Sequence, residues 1–326
     1  MPEHGLGPGI RSGLDQYPLL LMSTILLPLL AAALQSPCGW DLGSSWSETA
    51  NPNGPWSFNA GAAPIAALQP DWIGSGNPAW AAASSGFGHI PAWGRVTAAG
   101  APAIGPDVIP GTIFMHGNDP VNGTDVDLAN VTWTSPISGP VRVRCAFWHT
   151  DAHAGRSTDW RLYHNGTLLG TGNLAEGDAY GPLAPRYLDI PRAVAAGDVI
   201  RLEFQRTSFF GTFVCLQMAI TRSSLFLRSP IPGVAGQNST FEIRGAQPGG
   251  RVGLAYSPAS GSFSLPGCSV SGCLQSPQRA AMLTADAAGL ASFTAAVPPS
   301  LAGRTLRFQA AEPGACQVSN VVAHEF

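Results

Sequence analysis

After Ala33, apolar and polar residues alternate in short runs instead of recurring every three or four positions. The clearest runs are VTWTS (131–135), VRVRCAFWH (141–149), DWRLYHNG (159–166), DVIRLEFQR (198–206) and TFVCLQMAITR (212–222). A period of two marks a strand with one buried face, because successive side chains leave a strand on opposite sides. Gly, Pro, Asn and Asp clusters separate the runs and supply turns. A break at SSLFLRSPIPGVAGQ is followed by a second set, including STFEIRG, RVGLAYS, RTLRFQA and QVSNVVAHEF. Many short strands at this spacing predict antiparallel β-sandwiches. The boundary is expected near 223–230, with one domain over 34–222 and a smaller one over 223–326, both ordinary sizes. No helix longer than about three turns is expected after residue 33. The stretch 60–107, rich in Ala, Gly and Pro and carrying Trp72, Trp80 and Trp93, is expected to form long loops with one or two short strands.

Composition narrows the chemistry. Charged residues make up 11% of the 326, against 45% hydrophobic, with 39 glycines and 29 prolines. That balance suits a folded, turn-rich chain and not a disordered one. A net charge of −3 predicts neither nucleic-acid binding nor an anionic membrane partner. All seventeen basic residues are arginine, so lysine-based Schiff-base chemistry is excluded.

The N-terminal PLLLMSTILLPLLAAALQSP has the core of a signal peptide, with an apolar run over 19–34. Ala31 and Ala33 place small residues at −3 and −1 of a cut after Ala33, so 1–33 is expected to be removed on export. Pro28 and the short span argue against a lasting transmembrane helix, and no membrane insertion is expected after cleavage. Arg11 is the only strong base before the run; either the segment is long or translation starts at Met22. Six cysteines follow, at 38, 145, 215, 268, 273 and 316, none in a C-x-x-C pair. In an exported chain they predict disulfides.

The densest polar stretch is HTDAHAGRSTDWRLYHNG, 149–166. His149, Asp151 and His153 have the spacing of a loop metal site, but three ligands two apart in a Gly-containing link are weak evidence for one. A polar sandwich corner is the better reading, and His164-Asn165-Gly166 reads as a type I′ hairpin turn. HGNDPVNGTDVDL (116–128) offers Asp119, Asn122, Asp125 and Asp127 as oxygen ligands for calcium. It lacks the Gly and Glu positions of an EF-hand loop, and turn chemistry accounts for it better. No metal and no cofactor are expected. The chain also lacks a nucleophile elbow, a His-rich zinc helix, a Walker loop and a dinucleotide fingerprint. Glu176 and Asp178 are the only acidic pair in a loop beside a strand, and neighbours two apart do not make the facing carboxylates of a glycosidase.

Several segments carry a resemblance. WDLGSSWSETANPNGPWSFNAG, HGNDPVNGTDVDLANVTWTSPISGPVRVRCAF, STDWRLYHNGTLLGTGNL and AAGDVIRLEF together resemble a β-sandwich domain of exported bacterial proteins, many of which bear a PEP-CTERM sorting tail. The resemblance covers most of 40–222. It implies a jelly roll like that of carbohydrate-binding modules, with no catalytic residues to carry over. PIPGVAGQNSTFEIRGAQPGGRV, LTADAAGLASF and AGRTLRFQAAEPGACQVSNVV resemble a small sandwich module of planctomycete and myxobacterial exported proteins. The implied fold is all-β: a jelly-roll-like β-sandwich followed by a smaller Ig-like β-sandwich. The chain ends in VVAHEF, without the sorting motif, so anchoring by that route is not expected.

The expected function is that of an exported, non-catalytic recognition module for carbohydrate or a cell surface. A structural or adhesive envelope protein is the alternative and a secreted hydrolase a third. Alternation places Arg142, Arg144 and Trp148 on the polar face of one strand and Asp159, Arg161 and Tyr163 on that of the next. If both strands lie in one sheet, the six form a single aromatic and charged surface suited to a polysaccharide or glycan. The competing reading is that Trp148 is covered by the Trp-rich 60–107 segment and that the arginines lie over it. All nine tryptophans occur at or before residue 160, which places recognition in the first domain. For the disulfides, Cys316 is expected to close on Cys268 or Cys273. Cys145 and Cys215 fall on opposite faces of their strands, so Cys145 is expected to be a buried free thiol and Cys38 to pair with Cys215.

Overall fold

A computed structural model describes residues 38–82, 89–105, 107–119, 128–150 and 155–326. The expected signal segment 1–33 lies outside these residues. The first strands are short: β1 (Trp40–Asp41), β2 (Trp56–Ala60), β3 (Ala63–Pro64), β4 (Leu68–Gln69), β5 (Ala79–Ala81) and β6 (Ala92–Arg95). Eight strands follow, all but the first longer: β7 (Ile113–His116), β8 (Leu128–Thr134), β9 (Gly139–His149), β10 (Ser157–His164), β11 (Thr167–Ala175), β12 (Arg186–Val194), β13 (Val199–Arg206) and β14 (Phe213–Thr221).

These eight divide between two facing sheets, in the order β12-β9-β14-β7 in the first and β11-β10-β13-β8 in the second. That order, with every pair antiparallel, is a jelly roll. The strands β6, β5 and β4 extend the first sheet beyond β7, and β2 and β3 extend the second beyond β8. The described residues of 60–107 thus carry four short strands, β3 to β6, where one or two were expected. Ala79, Ala81 and Ala92 are wholly buried, and small side chains let these strands pack close to a second apolar layer.

Period-two alternation builds the core. Val141, Val143, Cys145 and Phe147 of β9 face Trp160 and Leu162 of β10, all at most 2% exposed. Phe147 meets Trp160 edge-on, with ring centroids 5.3 Å apart. Each large apolar side chain buried this way contributes about 1.5–3 kcal/mol. Asn165 (φ 48°) and Gly166 (φ 81°) turn β10 into β11 in the left-handed conformation that an Asn-Gly pair tolerates.

After β14 the chain enters a second sandwich. A sheet of β15 (Phe226–Leu227), β16 (Asn238–Arg244) and β21 (Ala291–Ala296) lies against one of β17 (Arg251–Ser257), β20 (Gln278–Thr284), β22 (Thr305–Glu312), β23 (Gln317–Val318) and β24 (Val322–Glu325). A separate hairpin joins β18 (Ser260–Ser264) to β19 (Ser271–Leu274). The core of this smaller, Ig-like sandwich contains Phe241, Ile243, Leu254, Phe308 and Phe326. Apart from three 3₁₀ turns, the only helix among the described residues is α1 (Ala101–Ile104).

The second sandwich packs on the outer face of the first sheet. Arg144 of β9 donates through its guanidinium to the carbonyls of Ser223 and Ser224 and lies 5.9 Å from the Phe226 ring centroid. Gly245 admits this approach: a Cβ there would lie 1.9 Å from the Ser224 carbonyl oxygen. Asn320 donates to Asp41, and Arg228 to Gln217 and to the Pro182 carbonyl.

The disulfides are Cys38–Cys273 and Cys268–Cys316, and Cys145 and Cys215 are free and buried. The expected Cys38–Cys215 bond is thus corrected. β1 does lie beside β14, but antiparallel, with Trp40 opposite Ile220. That register carries Cys38 past the end of β14, roughly 20 Å along the strand from Cys215. Cys38 instead reaches the second sandwich.

Candidate functional site

The structure divides the six residues expected to share one surface between two sheets, because β9 belongs to the first and β10 to the second. Arg142, Arg144 and Trp148 do share the outward side of β9, but Arg144 and Trp148 are covered there and only Arg142 is part-exposed. Trp148 is 0% exposed, packed among Trp72, Ile104, Ile109, Phe114 and Cys215, and its indole N–H donates to the Asp107 carbonyl at 2.7 Å. Arg144 is also 0% exposed, at the junction with the second sandwich. Burial works against its charge, and Asp189 offsets part of that cost with a carboxylate oxygen 3.3 Å from Nε. Asp189 also accepts from Arg142 at 2.8 Å.

Asp159, Arg161 and Tyr163 lie on the outer face of the second sheet, and the flanking strands surround them with polar groups. β13 lies beside β10, with Gln205 opposite Asp159, Glu203 opposite Arg161 and Arg201 opposite Tyr163. Arg161 donates to Gln205 at 2.8 Å and approaches Asp159 at 3.5 Å and Glu203 at 3.7 Å. Arg201 Nε lies 3.2 Å from the other Glu203 oxygen, and its guanidinium covers the Tyr163 ring at 4.7 Å. Asn173 of β11 donates to Asp159 at 2.9 Å. On the far side Ser57, Asn59 and Asn130 continue the network, with Asn59 donating to Asn130 at 3.0 Å.

Glu203 is the centre of this face. It is 4% exposed although it points away from the core, because two arginines and a tyrosine close over it. Desolvation, and then the charge and hydrogen bonding of Glu203, push the Tyr163 phenol above its ordinary value. The arginines 161 and 201 are balanced by Asp159 and Glu203, so the patch carries no formal excess charge. It presents fixed donors and acceptors with one aromatic ring. Arg201, Glu203 and Gln205 were readable as one polar face from the alternation in DVIRLEFQR; what the sequence left open was the neighbour of that strand.

Other polar groups are structural. Asp198 accepts from the Ala195 N–H, the Asn165 side chain and His164, and these bonds, in that order, hold its carboxyl down at about 2. They pin the β10–β11 hairpin to the turn before β13. Asp178 accepts from the Ala175 N–H, and Glu176 from the Gly155 N–H. His149 meets the Thr212 hydroxyl at 2.5 Å, and Asp119 accepts from the Gly211 N–H. Asp151, His153, Asn122, Asp125 and Asp127 lie outside the described residues, as do the loop metal and calcium readings built on them. Among the described residues no group of three or more His, Cys, Asp or Glu has the geometry to hold a metal ion.

No protein-family model matches the chain, and no curated protein matches it. Among solved structures, the chain is similar to the N-terminal CBM22-1–CBM22-2 tandem domain of Xyn10C from Paenibacillus barcinonensis, with 11% identity and a TM-score of 0.22, over 66% of this chain and 87% of that one. It is also similar to dimeric latent PorU from Porphyromonas gingivalis, with 12% identity and a TM-score of 0.20, over 64% of this chain and 19% of that one. Among the described residues no helix is long and apolar enough to cross a membrane.

Proposed function

We propose that the protein is an exported, non-catalytic recognition module that binds a neutral polysaccharide or cell-surface glycan on the outer face of its second jelly-roll sheet. The observation that carries this reading is Glu203, held almost out of solvent between Arg161, Arg201 and Tyr163 on an outward-facing strand. A charge so placed is preorganised, and its partners are oriented before any ligand arrives. Sugars offer rings of hydroxyls and flat C–H faces, which match rigid carboxylate, guanidinium and amide groups beside an aromatic ring. Export is supported by the apolar run over 19–34 and by two disulfides, which persist in oxidising compartments. The resemblance to sandwich domains of exported bacterial proteins points the same way.

The test is affinity electrophoresis of the purified protein through a panel of neutral polysaccharides, with Tyr163→Ala and Arg201→Ala alongside. Retention by at least one polymer, weakened about fivefold or more in both variants at unchanged melting temperature, supports the reading. Absence of retention across the panel, or full retention by both variants, overturns it.

A further inference from the structure

A second feature lies away from that face, where the two sandwiches meet. A cleft of about 1020 Å³ opens between the starts and ends of β9, β12 and β14 on one side and the β18–β19 hairpin with β23 on the other. Both disulfides border it, through Cys38 and Cys316. Its lining includes Arg142, Arg192 and Arg222, and no Asp or Glu. In a chain of net charge −3, three arginines on one concave surface are a local reversal of sign.

These charges are only partly spoken for. Asp189 is shared between Arg142 and the buried Arg144, so one positive charge of that trio is left over. Among the described residues the Arg192 guanidinium donates only to the neighbouring Pro191 carbonyl, at 3.2 Å. Arg222 is exposed and has no ion pair among the described residues. On the opposite wall, the hydroxyls of Ser262, Ser269 and Ser271 line the cleft and make no hydrogen bond among the described residues. Arg192 and Arg222, with the Asp189-paired Arg142 beside them, thus face three unengaged hydroxyls across a space large enough for several linked sugar rings.

We propose that this cleft binds an acidic polysaccharide, the arginines pairing with its carboxylate or sulfate groups and the serines with its hydroxyls. Arginine suits this ligand because its planar fork pairs with carboxylate or sulfate in two parallel hydrogen bonds. The size of the cleft favours a chain segment over a single inorganic ion. The Cys38–Cys273 bond holds the two walls together, so the site belongs to the pair of sandwiches and to neither alone. It is separate from the face around Glu203, and the two readings stand or fall independently.

The experiment measures binding of the purified protein to polygalacturonate and to dextran sulfate, with neutral dextran and inorganic sulfate as further probes. Variants are Arg192→Gln/Arg222→Gln, and Arg251→Gln on an exposed strand start as control. Polygalacturonate and dextran sulfate separate uronate from sulfate recognition. Expected is binding to at least one of them and not to dextran, weakening as salt rises, about tenfold or more weaker in the double variant and unchanged in Arg251→Gln and in Tyr163→Ala. Four results each overturn the proposal: no binding to either acidic polymer, equal binding to dextran by Tyr163→Ala, in which the face around Glu203 is disabled, equal loss in the Arg251 control, or inorganic sulfate binding as tightly as the polymers.

Discussion

Cys38 is bonded to Cys273, 235 residues further along the chain, so that the segment leading into the first strand of the jelly roll is tied to the hairpin of the second sandwich. The other bond, Cys268–Cys316, closes 48 residues within the second sandwich. Replacing each pair by serine is expected to be unequal in effect. In the chain-entropy account, losing the longer loop costs about 5 kcal/mol and the shorter about 4 kcal/mol. Denaturant unfolding of the two double-serine variants measures the difference. Non-reducing peptide mapping that recovers a Cys38–Cys215 peptide would contradict the assignment.

Trp148 and Tyr163 were expected on one surface and lie on different sheets, so their truncations should behave differently. Trp148→Ala removes an indole with no solvent exposure and is expected to cost about 3–5 kcal/mol. Tyr163→Ala removes a half-exposed ring and is expected to cost less than about 1 kcal/mol. Thermal melts of the two variants decide this, and a stable Trp148→Ala protein would show that the covering segment does not pack as described.

His324 is fully buried, with one ring nitrogen 2.8 Å from the Gly233 carbonyl and the ring 4.6 Å from Phe326. Burial lowers its pKa to about 4, from 6.5 when exposed. The unfolded chain therefore takes up this proton first on acidification, and the folded state loses stability as pH falls from 6.5 towards 4. The expected loss from this group is about 3 kcal/mol across that window. Asp41, whose carboxyl burial pushes up, opposes it, so the measurement is the difference between wild type and His324→Gln. Parallel stability curves for the two proteins would refute the assignment.

Cys145 and Cys215 are the free thiols, both 0% exposed, and burial pushes both thiols up, Cys215 to about 12. Neither should react with a thiol reagent at pH 8 while the protein is folded, and both should react in denaturant. Rapid labelling of the native protein would show that one of them is exposed.

Much of this was readable from the pattern of residues. Alternation alone assigned Cys145 to the core side of β9 and Cys215 to the outward side of β14, and the two occupy different apolar layers. Asn165-Gly166 marked its own turn, because only a few residues accept positive φ there. Each of these is a local property, set by the chirality and size of a few consecutive residues.

What the sequence left undecided is which strands become neighbours. Period two tells a residue which side of its own strand it leaves from, but the same period fits any partner strand and either sheet. Pairing is settled by burial summed over the whole domain. It sent β9 and β10 into opposite sheets, closed Trp72, Ile104 and Ile109 over Trp148 and the second sandwich over Arg144, and gathered Arg201, Glu203 and Gln205 beside Arg161. It also set β1 against the far end of β14, so that Cys38 met Cys273. The residue types were legible one strand at a time; their company was decided by contacts between residues far apart in the chain.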